Sequence, residues 1–260
     1  MIGHRTLCLG LALANAMTAV EGVAQAASGA PPNELSAAER MAGWRLLFDG
    51  KTLNGWRGLG YDSVPTAHWT VENGAIKKVA SGNVARMPDG QPAKGGDLMT
   101  VDTFGDFELA FAWKVTPGAN SGVKYNVSEE FSLAKASNHA ALGWEYQILD
   151  DSLSDDNKTP SHLAGALYEM IAPNGNKRLN PVGLWNESRV VFRGMHGEHW
   201  LNGAKIVEFE MGTPEFTALV EKSKYRNIPG FADRRRGHII LQDHGDEVFF
   251  RAIKIRALKY

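Results

Sequence analysis

From residue 44 onward the chain is a succession of short segments in which apolar and polar residues alternate. "WRLLF", "HWTVENG", "AIKKV", "DLMTV", "FELAFAWKV", "SGVKYNV" and "WEYQIL" come first. "GALYEMI", "ESRVVFRG", "EHWLNGAKIVEFEM", "GHIILQD" and "VFFRAIKIRAL" follow. Period-two alternation bounded by turn residues predicts β-strands that bury one face. In "FELAFAWKV", Leu109, Phe111, Trp113 and Val115 form the apolar set, and Glu108, Ala110, Ala112 and Lys114 the other. Asn73-Gly74 and Asn202-Gly203 supply the positive-φ pairs that tight hairpins need.

Helical periodicity is sparse. "SAAER" offers Ser36 as an N-cap with Glu39 three residues later. "PEFTALVEKSKY" (214–225) places Pro214 in a first turn and Phe216, Leu219 and Val220 on one face, which predicts a short helical insertion. About a dozen strands with so little helix predict an all-β sandwich or barrel in one domain over 44–260. No internal repeat is visible.

The beginning of the chain reads differently. Arg5, an apolar stretch from Leu7 and the small residues of "AQA" (24–26) predict a cleaved secretory signal over 1–26, followed by a Pro/Ala/Ser linker over 27–43. A retained amphipathic anchor is the alternative. The one cysteine, Cys8, lies inside that signal, so disulfides and thiolate chemistry have no place in the mature chain. A periplasmic or secreted bacterial protein is expected, with no membrane association after signal removal. The net charge of −1 favours no nucleic acid. No G-x-S-x-G, P-loop, H-E-x-x-H or G-x-G-x-x-G pattern is present, so no nucleotide or organic cofactor is expected.

The polar residues on the strands carry the chemistry. In "GWEYQILDD" (143–151), Glu145 and Gln147 share a face; Trp144, Tyr146 and Ile148 take the other. A solvated sheet face is one reading of the polar pair. A ligand groove is the other, because alternate side chains stand about 7 Å apart, near the spacing of groups on a sugar ring. In "GHIILQDHGDEVFF", Gln242 ends a strand, and Asp243 and His244 open a turn where they either titrate or only bind the turn backbone. "DDSLSDDNK" (150–158) reads as a solvated acidic loop and lacks the pattern of a calcium loop. "ADRRRGH" (232–238) reads as surface charge.

Taken in order, "WRLLFDGKTLNGW", "NSGV", "WEYQILD", "GALY", "WNESRV", "HWLNG" and "GHIILQDHGDEVFFRAIKI" resemble the 3-keto-disaccharide hydrolase domain family over roughly 44–258. The resemblance implies a concanavalin A-like jelly roll of two antiparallel sheets with a carbohydrate ligand on the concave face. It also implies cleavage of glycosides already oxidised to a ketone at C3. A C3 ketone acidifies the C2 proton, so a base can remove it where donors, a cation or a metal stabilise the enolate. The aglycone then leaves C1, and hydration completes the reaction. An ordinary glycosidase instead flanks the acetal with two carboxylates.

On the matching positions, Glu145 and His244 are expected as base or as ligands of a divalent ion. Asn120, Lys124, Gln147, Gln242 and Asp243 are expected to bind substrate. Lys124 departs from the Arg that many relatives carry, replacing a bidentate fork by a point charge. His162 and Tyr168, beside "GALY", are also expected to bind substrate, with acid, ligand or structural roles as alternatives; Trp200 is read as hairpin core with a sugar platform as the alternative. A non-catalytic carbohydrate-binding module is the alternative function, since such folds also bind glycans without chemistry.

Overall fold

A computed structural model describes residues 31–258 apart from 87, 89–92 and 137–139. The predicted signal, with Cys8, lies outside the described residues. In chain order the strands are β1 (Arg45–Leu46), β2 (Trp56–Gly58), β3 (Trp69–Glu72), β4 (Ala75–Lys78), β5 (Leu98–Thr100), β6 (Phe107–Val115) and β7 (Asn120–Val127). They continue as β8 (Trp144–Leu149), β9 (Asn186–Arg193), β10 (His196–Leu201), β11 (Ala204–Glu210), β12 (His238–Leu241) and β13 (Val248–Ala257). The helices are α1 (Ala37–Met41), α2 (Glu129–Lys135) and α3 (Pro214–Lys222).

The strands form two antiparallel sheets, a jelly-roll sandwich as expected. One has eight strands, in the order β11-β10-β9-β6-β13-β4-β3 with β1 added beside β13; the other has five, β2-β5-β12-β7-β8. Alternation decides what lies between them. Leu109, Phe111 and Trp113 from β6 meet Val123, Tyr125, Trp144, Tyr146 and Ile148 from β7 and β8 in one buried cluster. Asn73 and Asn202 have φ of 50° and 46°, followed by Gly74 and Gly203, as the hairpins require.

Aromatic hydroxyls and imidazole carry hydrogen bonds across this core. Trp113 Nε1 donates to Ser188 Oγ at 2.8 Å, Ser188 donates to the Tyr146 hydroxyl at 2.8 Å, and Tyr146 donates to Trp200 O at 3.2 Å. His199 is fully buried; its Nε2 accepts from Tyr125 at 2.9 Å and its Nδ1 donates to Gly165 O at 3.0 Å. Burial pushes its pKa down to about 4, so it stays neutral and keeps both roles.

Several segments differ from the sequence reading. "GALYEMI" lies along β8 but is no regular strand. Tyr168 N donates to Glu145 O at 3.1 Å, and the segment then turns back through Leu167 and Ile171. Gly165 at φ 86° and Glu169 at φ 70° interrupt the extended chain. β2 and α2 were not foreseen: a three-residue strand and a seven-residue helix are too short for periodicity to show. α1 has the expected capping box of Ser36 and Glu39. The residues around it are docked rather than a free linker: Asn33 Oδ1 accepts from Ala252 N at 2.8 Å, and Glu39 pairs with Lys254. α3 is the expected insertion, starting at Pro214 behind the Thr213 cap, with Phe216 buried against Phe209 and Trp144.

His199 makes stability depend on pH. Its pKa is lower folded than unfolded, so its contribution is present above the ordinary 6.5 and is lost as pH falls through about 4. Denaturant melts of the protein should lose on the order of 3 kcal/mol through this group over that range. In His199→Gln, which keeps a donor and an acceptor but does not titrate, the slope should be shallower by a comparable amount.

Candidate active site

Pairing of β7 with β8 builds the centre of the site. Lys124 is the register partner of Glu145, and Gly122 that of Gln147. With Val123, Tyr125, Trp144, Tyr146 and Ile148 in the core, Lys124, Glu145 and Gln147 face outward from the five-stranded sheet, the parity expected from sequence. They are not solvated: Lys124 is 6%, Glu145 3% and Gln147 1% exposed. Lys124 Nζ stands 3.7 Å from Glu145 Oε2 and donates to Ala141 O at 3.1 Å. Gly122 leaves the space that the carboxylate fills; a Cβ there would lie 2.2 Å from Glu145 Oε1.

Burial raises the Glu145 pKa above the ordinary 4.5; Lys124 and then Lys224 pull it back, Asp97 adds to the rise, and His244 opposes it. Asp97, 4% exposed, is the second buried acid. It accepts from Ala141 N and Asp243 N, each at 2.8 Å. Burial raises its pKa too, with Lys124 the main opposing charge. Two carboxyls thus share one buried ammonium.

Beside them lie two amides. Gln147 Nε2 donates to Asn120 Oδ1 at 3.2 Å. Gln242 is held on the next strand position by its N–H to Gly122 O at 2.9 Å. The Oε1 atoms of Gln147 and Gln242 are both buried and without a protein partner. Such groups are rare in folded proteins, and a bound hydroxyl would satisfy each.

A second chain of polar contacts closes the side next to Asn120. Asn120 Nδ2 approaches Asp156 Oδ2 at 3.4 Å, and the Tyr168 hydroxyl donates to the same oxygen at 2.9 Å. His162 Nδ1 lies 2.7 Å from Asp156 Oδ1, its Nε2 3.5 Å from Glu169 Oε1, and its ring lies tilted against that of Tyr168, the centroids 4.5 Å apart. Lys224 Nζ sits 4.2 Å above the Tyr168 ring. Lys224 keeps exposed surface, yet loss of hydration lowers its pKa, with Glu145 the largest opposing charge. Tyr168 is raised by burial and by the Asp156 carboxylate it donates to.

Asp243 is placed elsewhere. Its Oδ1 is 2.9 Å from Nζ of the fully buried Lys78, and its Oδ2 accepts from Gly96 N at 3.2 Å. His68 Nδ1 is 3.2 Å from the same Oδ2 but off the angle of a hydrogen bond. Asp243, expected to bind substrate, uses both oxygens to anchor the loop that presents Gln242 and His244. His244 is exposed and, among the described residues, no protein group hydrogen-bonds its imidazole. Trp200 is not core either; it is half-buried on the outer face of the eight-stranded sheet, with Arg189 4.0 Å from its ring centroid.

Residues 43–256 match the family described as the 3-keto-alpha-glucoside-1,2-lyase-like domain. The chain belongs to that family. A 3-keto-disaccharide hydrolase of Bacteroides thetaiotaomicron is 36% identical over 239 residues, covering 83% of this chain and 79% of that protein. A Parabacteroides distasonis protein, itself described as a candidate glycosyl hydrolase, is 29% identical with a TM-score of 0.73. The match covers 88% of this chain and all of that one. A second structure from the same organism, under the same description, is 27% identical with a TM-score of 0.60 and covers 83% of this chain and 99% of that one.

Among the described residues, Glu145 and His244, the pair expected to ligate a divalent ion, belong to no group of three imidazole and carboxylate atoms close enough to share one, and the near charge on Glu145 is the Lys124 ammonium. Among the described residues, the one group of imidazole and carboxylate atoms close enough to share an ion is His196, Glu198 and Glu208. That group lies on the β10–β11 hairpin of the other sheet, and Lys205 already bridges its two acids at 3.2 and 2.7 Å.

Sequence reasoning missed Asp97, Asp156 and Lys224. Asp97 was absorbed into a strand segment. Asp156 lay in a loop read as solvated, whereas Asp150 and Asp151 of that loop accept backbone N–H groups of residues 118, 152, 153 and 164. Lys224 follows an insertion whose docking no local pattern reveals.

Gly122→Ala is expected to push the Glu145 carboxylate off its seat by on the order of 1 Å, because the packed neighbours cannot absorb a new Cβ. A crystal structure of the variant checks this; an unmoved carboxylate would show that Gly122 does not set its position.

Proposed function

We propose that this protein cleaves the glycosidic bond of 3-keto-glycosides by elimination and hydration, with Glu145 as the base. The observation that carries the reading is a buried carboxyl of raised pKa with two ammonium groups as its main opposing charges, beside two unpartnered amide oxygens. Its family and its 3-keto-disaccharide hydrolase relative support the same substrate class.

The chemistry follows from the parts. A desolvated carboxylate is a stronger base than one in water, and once ionised it can take the C2 proton that the neighbouring ketone acidifies. Electrons from the C2–H bond move onto the C3 oxygen. Lys124 and Lys224 supply the positive charge that stabilises the enolate in a low-dielectric setting. Collapse of the enolate breaks the C1–O bond, and the aglycone leaves with a proton from a general acid, a role this reading gives to the exposed His244. Water then adds across the C1–C2 double bond, with the new proton at C2. Gln147 and Gln242 hold sugar hydroxyls. A binding module has no need to bury a carboxyl at a cost in stability, which favours an enzyme over the glycan-binding alternative.

Export is part of the proposal, on the leader-like composition of 1–26. Among the described residues, no helix is long and apolar enough to cross a membrane.

Purified protein given a 3-keto-glucoside should release the aglycone, with or without chelator. Absence of release, with and without added divalent ions, would refute the reading. Glu145→Gln should lower the rate by about 10²–10⁴-fold. Its melting temperature at pH 7 should hold or rise, because a carboxyl of raised pKa costs stability as pH climbs through that pKa. The rate of the unaltered protein should rise with pH through the same ionisation, above 4.5, and fall again below the ordinary Lys value of 10.5 as Lys224 loses its proton.

A further inference from the structure

On the opposite side of the sandwich, the docked N-terminal segment and the outer face of the eight-stranded sheet enclose a cavity of about 460 Å³. Its floor follows from the alternation of β6, which points the small side chains of Ala110 and Ala112 outward. Trp44 and Trp200 line it. One wall is made by a β-bulge: Arg251 pairs with Ala112 but Lys254 pairs with Ala110, so β13 holds an extra residue there. Ala252 takes the strain, at φ 51°, and its N–H is held by Asn33. The bulge separates two outward cations, Arg251 and Lys254, while Phe250 and Ile253 remain in the core.

Most charges here neutralise one another. Arg189 and Arg256 pair with Glu108, and Lys254 pairs with Glu39. Arg251, Glu187 and Glu34 are the exceptions, with Glu187 near enough for its charge to act on Arg251. Arg251 rests on Trp185 at 4.0 Å and, like the Glu187 carboxylate, has no side-chain hydrogen bond or ion pair among the described residues. A fixed fork of donors and a free acceptor on one cavity match the hydroxyls of a sugar, and indole surface suits its C–H faces. Two acids, Glu34 and Glu187, beside the one arginine argue against a phosphate or a carboxylate. The volume lies within the range of small-ligand sites and would take roughly one or two sugar rings.

We propose that this cavity is a second saccharide site, for a neutral mono- or disaccharide unit, remote from Glu145 and independent of the chemistry there. Isothermal titration with methyl glucoside, cellobiose, maltose and glucuronate tests it on the full chain and on Glu145→Gln, Arg251→Ala and Glu187→Ala. At least one neutral sugar should bind saturably to the protein and to Glu145→Gln. Arg251→Ala and Glu187→Ala should keep their melting temperatures and raise the dissociation constant about tenfold or more, the loss expected for a charged hydrogen bond. Three results would overturn the proposal: no saturable binding of any neutral sugar, binding that vanishes in Glu145→Gln yet survives in both other variants, or a preference for glucuronate.

Discussion

The pairing of β7 with β8 is the constraint on which the rest depends. Side chains of a strand alternate, so the core's demand for Val123, Tyr125, Trp144, Tyr146 and Ile148 leaves no choice for their neighbours. Lys124, Glu145 and Gln147 must stand on the other face, and the register sets Lys124 opposite Glu145. A slip by one residue would bury the charges between the sheets and expose the aromatics. The site is therefore held by the same packing that stabilises the domain.

What makes that face chemical is the withdrawal of its charges from water. Glu145 and Asp97 are both raised by burial, with Lys124 as the shared compensating charge. Such an array costs folding free energy, since buried ions repay desolvation only with good partners. The surroundings supply rigidity instead. Lys78 and backbone N–H groups fix Asp243, and with it the loop carrying Gln242 and His244. His199, kept neutral in the core, binds Gly165 and so steadies the segment that brings Tyr168 over the groove.

The fold was largely legible in the sequence because alternation is a local signal. The strands of the sandwich, both Asn-Gly hairpins, the Ser36 capping box and the helix at Pro214 all follow from neighbours within a few positions. Glu145 and Gln147 were legible for the same reason. Asp97 and Lys224 were not, because they reach the site through tertiary docking of distant segments. The pairing of Asp243 with Lys78 was not legible, because a carboxylate in a turn looks alike whether it faces a ligand or a buried lysine. The residues in and before α1 read as a linker from composition, yet Asn33 and Glu39 reach partners more than two hundred positions away.

The central claim is that Glu145 takes the proton from C2 before the glycosidic bond breaks. Turnover of a 3-keto-glucoside in D2O, followed by mass spectrometry and NMR of the released sugar against an enzyme-free control, tests it most directly. The account predicts one deuterium at C2 of the released sugar and loss of that incorporation in Glu145→Gln. Release of a sugar that keeps its C2 hydrogen would contradict it and assign the cleavage to direct displacement at C1.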